Sequence, residues 1–166
     1  MIQYKQGSIL DSEEDYICHQ VNCQGVMGSG LAKQIRDKWP FVYKHYRDAY
    51  LERQEKIDEL CGEFGCQIDV SETLLGHLQK VNINARQTVV NMFAQQYYGV
   101  GGRYTSYDAF WTCLGGIRDS APKGSSIAFP VGIGCGLGGA NWQVIKQMII
   151  EVLNDDYLIV FYEYTP

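Results

Sequence analysis

Two glycine-rich stretches in this 166-residue chain could grip an anion. The first reads Asn22-Cys23-Gln24-Gly25-Val26-Met27-Gly28-Ser29-Gly30 and joins a short β-rich run to a helical pattern that begins at Leu31. Glycine lets a backbone take positive φ and approach a ligand closely, and a helix N-terminus offers unpaired N–H groups to a phosphate. A tight strand-to-helix turn with glycine for packing is the plainer reading of this loop taken alone. The second stretch, Gly132-Ile133-Gly134-Cys135-Gly136-Leu137-Gly138-Gly139, holds five glycines in eight residues, more than a turn needs. Two such loops at the carboxyl ends of strands imply one cleft, with a diphosphate lying between them. His19, just before the first loop, has a side chain that can exchange a proton near neutral pH.

Other chemistries fit less well. Neither loop ends in Gly-Lys-[Ser/Thr], and the glycine order of the first loop is not the dinucleotide fingerprint. Asp155 and Asp156 follow the second loop at a suggestive distance, but too little chain remains after them for a dinucleotide fold. Six cysteines, Cys18, Cys23, Cys61, Cys66, Cys113 and Cys135, lack the short secreted context of a disulfide framework and read as reduced thiols. Cys61 and Cys66 enclose a four-residue gap that could serve a metal, but no second pair matches it, so no metal is expected. His45 and His77 read as structural.

The elements that must position these residues alternate between strand and helix. Strands are expected over Tyr16–Asn22, Leu78–Ile83, Thr88–Ala94, Ser126–Val131 and Tyr157–Tyr162, the second and third forming a hairpin across Asn84-Ala85. Helices are expected from Leu31 to a break at Pro40, from Phe41 to about Ile57, from Tyr107 behind a Thr105 or Ser106 cap, and over Trp142–Leu153. That order argues for a layered α/β fold with a mixed sheet, in one domain over residues 1–166. A net charge of -5 disfavours generic nucleic-acid binding. The first residues carry no basic and apolar leader, and no long apolar run occurs, so a cytoplasmic protein without a membrane span is expected.

His19-Gln20-Val21-Asn22-Cys23-Gln24-Gly25-Val26-Met27-Gly28-Ser29-Gly30-Leu31-Ala32 resembles the first ligand loop of the macrodomains, in the branch of ADP-ribose 1″-phosphate phosphatases and terminal ADP-ribose glycohydrolases. Phe129-Pro130-Val131-Gly132-Ile133-Gly134-Cys135-Gly136-Leu137 followed by Trp142 is similar to that branch's second, phosphate-gripping loop. The likeness extends over nearly the whole chain in element order and is weakest between Phe41 and Glu72. It implies a three-layer α/β/α fold with a mixed central sheet.

It also implies a small-molecule ligand, ADP-ribose or a derivative, with an ADP-ribosylated macromolecule as a further partner class and no cofactor. Ser8 and Ile9 match the adenine-side segment, and Tyr162 would pack on the adenine. The diphosphate would lie on Gly25, Val26, Met27, Gly28, Ser29, Gly30 and Leu31 of one loop and on Gly132 to Gly138 of the other. His19 and Asn22 would face the distal ribose as the catalytic candidates. Three departures stand out. Ser8 replaces the usual adenine-selecting aspartate, for which Asp11 could substitute. Phe93-Ala94-Gln95-Gln96 lacks the glycohydrolase lysine, and Gly138 stands where that branch has an aspartate, so a lysine-centred mechanism is not expected. The resemblance thus implies either a hydrolase of an ADP-ribose derivative or a binding module without turnover.

Overall fold

The computed structural model describes residues 1–165. Its elements, in chain order, are β1 (Ile2–Gln6), a single 3-10 turn (Ile9–Asp11), β2 (Tyr16–Asn22), α1 (Gly30–Lys38), α2 (Pro40–Phe64), α3 (Val70–Leu74), β3 (Leu78–Asn82), β4 (Thr88–Gln95), α4 (Tyr107–Ser120), β5 (Ser126–Pro130), α5 (Trp142–Leu153) and β6 (Leu158–Glu163). The six strands form one sheet in the order β1-β6-β5-β2-β4-β3. All neighbours are parallel except β3, which runs antiparallel to β4 as the hairpin expectation required.

Parallel central strands are covered on both faces, so their residues alternate between two apolar layers. Cys18, Val90, Met92, Ile127, Phe129, Ile159 and Phe161 pack with Phe110 and Leu114 of α4 and Ile145 and Ile149 of α5. On the opposite face Ile17, Val89, Ala128 and Val160 meet Ile35 of α1 and Val42 of α2. Val21 and Phe93, higher on that face, pack with Tyr46 and Ile57 of α2. This is the three-layer α/β/α arrangement that the resemblance implied, and the layered α/β fold that the alternation of elements argued for.

Local signals explain most boundaries. Pro40 ends α1 and begins α2, where its missing N–H costs nothing. α2 runs past the expected limit near Ile57 to Phe64 and stops at Gly65, whose φ of 65° is left-handed. Ser106 caps α4 by accepting from the Ala109 N–H, and Asp108 sits in the first turn as expected. Two elements were not among those expected from the sequence. β1 is mostly exposed, its alternation is limited to Ile2 and Tyr4, and it is held as a strand by parallel pairing with β6. α3 is a five-residue turn of helix capped by Asp69. Among the described residues no helix is long and apolar enough to cross a membrane.

The buried Tyr157 hydroxyl ties β6 to the end of α4, lying 2.7 Å from the Arg118 carbonyl and 2.9 Å from that of Ala121. Tyr157→Phe should lower unfolding free energy by about 1 to 2 kcal/mol in denaturant titration, because the one hydroxyl donor shared by a buried and a partly buried carbonyl is lost.

Candidate functional site

The first loop leaves β2 at Asn22 and is tied off at once. Asn22 Nδ2 donates to the Val26 carbonyl (2.8 Å), and its Oδ1 accepts from the Gln24 N–H (3.0 Å). From α2 the buried Tyr46 hydroxyl accepts from the Val26 N–H (2.9 Å) and reaches Asn22 Oδ1 at 2.7 Å. Gly25, with φ of 72°, lies so close to α2 that a Cβ would run into Arg47 and Tyr50. The loop is therefore clamped from below, and its upper surface is free. Ser29, at the N-cap of α1, makes no side-chain capping bond, so the first-turn amides stay unpaired where Gly30, Leu31 and Ala32 line the cleft.

The second loop leaves β5 at Pro130 and folds back on itself. Internal turns pair Cys135 N–H with Gly132 O (2.9 Å) and Ala140 N–H with Gly134 O (3.0 Å). Thr105, almost fully buried, holds this loop from the side: its hydroxyl donates to Gly134 O (2.8 Å) and accepts from Gln20 Nε2 (2.8 Å). The N–H groups of Tyr104 and Thr105 both donate to Gly138 O at 2.9 Å. Gln20 Nε2 also bonds Gln95 Oε1 (3.0 Å), so β2 and β4 both support the loop.

The five glycines serve different ends. A Cβ on Gly134 would sit 2.8 Å from Gln20 Oε1, one on Gly138 2.4 Å from Thr105 Oγ1, and one on Gly139 2.3 Å from Gly102 O. Those three are demanded by packing. Gly136 has an ordinary φ and nothing within 4 Å of its Cβ position, yet it lines the cleft. Nothing in the fold requires a glycine there.

Between the loops lies a cleft of about 290 Å³. Of the residues expected at a ligand, His19, Asn22, Val26, Gly28, Ser29, Gly30 and Leu31 line it from one side, and Gly132, Ile133, Gly134, Gly136, Leu137 and Gly138 from the other. Gln20, Gln95 and Tyr98 join them, none of which the sequence reading singled out. No Lys, Arg, Asp or Glu is among the lining residues.

The remaining expected contacts are not in the lining. Gly25 and the buried Met27 face the α2 side. Cys135 is turned inward, its thiol donating to Ile133 O. Ile9 is buried in the core, and Ser8 Oγ accepts from the Leu10 N–H as the cap of the 3-10 turn. Tyr162 is 8% exposed, with Lys5 over its ring and its hydroxyl donating to Glu14 Oε2 (2.7 Å). Asp11, the expected substitute for an adenine-side aspartate, pairs with Lys38 at the surface (3.0 Å). The buried carboxylate of that region is Glu14. Burial opposes its ionisation, but hydrogen bonds from Lys5 and Tyr162 hold it below the usual carboxylate range.

His19 is 1% exposed. Its Nε2 bonds Asn91 Oδ1, whose Nδ2 donates to Gln79 Oε1 (2.9 Å), and Gln79 Nε2 donates to the His45 carbonyl on α2 (2.9 Å). An amide oxygen only accepts, so Nε2 carries the proton and Nδ1 keeps its lone pair. Nδ1 has no protein partner. Burial lowers the imidazole pKa to about 4, outweighing the hydrogen bond that its Nε2–H donates to Asn91, so the ring is neutral at pH 7. Asn22, in turn, has both polar atoms engaged within the loop and acts as its organiser.

A mixed six-stranded sheet between helical layers, with a neutral cleft between two glycine loops, has the macrodomain fold. The macrodomain of Mycobacterium tuberculosis DarG superposes with a TM-score of 0.70 over 98% of this chain and 97% of that one, at 22% identity. Thermosipho africanus DarTG in complex with ADP-ribose gives a TM-score of 0.70 at 18% identity, over 96% of this chain and 41% of that one. A curated relative, the DNA ADP-ribosyl glycohydrolase of M. tuberculosis, is 23% identical over 152 residues, or 91% of this chain. The chain spans 38% of that relative's length. No family model matches the chain.

Two glycine substitutions should separate packing from ligand approach. Gly138→Ala should destabilise by about 1 to 3 kcal/mol, because the added methyl meets Thr105 and the Gly134 main chain. Gly136→Ala should stay within about 0.5 kcal/mol of the parent in thermal unfolding, while its added methyl narrows the cleft. His19 also sets a pH dependence. The unfolded imidazole, near 6.5, takes a proton before the folded one does near 4. Stability present above pH 6.5 is therefore lost as pH falls toward 4, by about 3 kcal/mol from this group. In denaturant titrations at pH 7 and pH 4, His19→Gln should show a correspondingly smaller loss.

Proposed function

We propose that this chain binds ADP-ribose across the cleft and hydrolyses an ADP-ribose derivative, either releasing phosphate from ADP-ribose 1″-phosphate or removing ADP-ribose from a modified macromolecule. The observation that carries this reading is the uncapped first turn of α1 facing the second glycine loop. Both surfaces offer main-chain N–H groups, which suit a diphosphate without cationic side chains. The relative that acts on DNA-linked ADP-ribose and the complex with ADP-ribose point the same way.

In the proposed hydrolysis a water oxygen attacks the ribose carbon or phosphorus, the bond to the leaving group breaks, and His19 takes up the water proton and returns it to the departing oxygen. A neutral imidazole with a free lone pair is the form this step needs, and His19 holds it at neutral pH. A net charge of -5 supports recognition of a small ligand or a modified target over generic nucleic-acid binding. Buried, protonated thiols at Cys18, Cys23 and Cys113 suit a reducing, cytoplasmic setting.

A cleft wall without Lys, Arg, Asp or Glu favours a second reading, binding without turnover. Calorimetric titration with ADP-ribose, beside ADP and GDP, tests binding: the expected result is saturable heat for ADP-ribose and weaker heat for both controls. Phosphate release from the 1″-phosphate and release of ADP-ribose from modified DNA or protein then test turnover. His19→Gln should bind ADP-ribose about as well as the parent and turn over about 100-fold more slowly. Equal turnover removes His19 from the reaction, and no release by the parent leaves the binding module.

A further inference from the structure

Cys61 and Cys66 play no part in the cleft, yet they stand together. The Cys66 thiol lies 3.0 Å from Cys61 Sγ across the left-handed Gly65 that ends α2. Cys66 is exposed and Cys61 half-buried, whereas Cys18, Cys23 and Cys113 are buried and Cys135 is half-buried with its thiol turned to a carbonyl. Among the described residues no third His, Cys, Asp or Glu joins them as a metal set. Two thiols in contact with nothing else to ligate are arranged for oxidation to one another, since only about 1 Å separates them from a disulfide bond length.

We propose that Cys61 and Cys66 are a reversible oxidation site that closes as an intramolecular disulfide under peroxide. The Cys66 thiolate attacks one peroxide oxygen, the O–O bond breaks, and hydroxide leaves, giving a sulfenic acid. Cys61 sulfur then attacks Cys66 sulfur, the S–O bond breaks, and water leaves. Two thiols and one peroxide become one disulfide and two waters, with two electrons passing to the peroxide.

The site borders the apolar cluster on which the first loop rests. Cys61 packs against the apolar cluster that contains Cys23, Met27 and Tyr46 beneath that loop. Beyond Cys66 the chain leads to Asp69, whose Oδ2 accepts from the Tyr97 hydroxyl, and to Ser71, whose hydroxyl accepts from Gln96 Nε2 (3.1 Å). The Gln96 carbonyl in turn accepts from the Cys23 N–H (3.3 Å).

The reduced full chain is treated with hydrogen peroxide, quenched with catalase, unfolded and labelled with N-ethylmaleimide. The expected product has lost two of its six labelled thiols, is lighter by two hydrogens before labelling, maps the bridge to Cys61 and Cys66, and regains all six labels with dithiothreitol. Cys61→Ser should leave Cys66 as a sulfenic acid that dimedone traps, and Cys66→Ser should retain all its remaining thiols. Full labelling after peroxide, a bridge between other cysteines, or over-oxidation of Cys66 with Cys61 still free would each overturn the assignment.

Discussion

The cleft walls contain no cationic side chain, so any anion held there depends on main-chain amides kept unpaired and kept still. An unpaired amide is a liability in a fold, since its loop gains by turning it inward to a carbonyl or outward to water. Most of the structure around the cleft can be understood as preventing that. Carbonyls are captured, loop undersides are pinned, and the amides of one face are left without a partner.

The two loops meet this demand by different means. The first is fastened to α2, where one tyrosine hydroxyl serves both Asn22 and Val26 and glycine permits the close approach of Arg47 and Tyr50. The second is fastened to Thr105, which enters from a connection far away in sequence and occupies the space that glycines 134 and 138 vacate. Removing side chains from these glycines thus makes room for a buried hydroxyl, and Gly136 alone of the five combines open space at its Cβ position with an ordinary φ. Tyr46 and Thr105 are positioning residues, acting through the loops that they hold.

His19 sits where the two requirements of the sheet meet. Strand alternation turns it toward the face occupied by Ile17 and Val21, so the ring is desolvated and neutral. Its bond to Asn91, continued through Gln79 to the backbone of α2, fixes the tautomer and leaves one lone pair unsatisfied. Buried polar chains of this kind are costly unless fully paired, and the single unpaired atom is the one on a cleft residue.

Much of this was determined by the sequence alone. Regular apolar spacing marks β2, β4, β5 and α5, glycine and proline mark the breaks at Pro40 and in both loops, and local hydrogen bonding explains Ser106 as a cap, because these signals act between residues a few positions apart. The loop motifs likewise identify thirteen of the lining residues' positions around the cleft. What the tertiary structure decided lies at longer range. β1 carries only the brief alternation of Ile2 and Tyr4, and its place in the sheet is set by pairing with β6 from the far end of the chain. The burial of Tyr162, the partner of His19 at Asn91, and the roles of Tyr46, Gln20 and Thr105 depend on side chains from separate elements meeting. Such meetings leave no periodic trace in the chain, because their energy comes from contacts that exist only after the sheet and its two helical layers have closed.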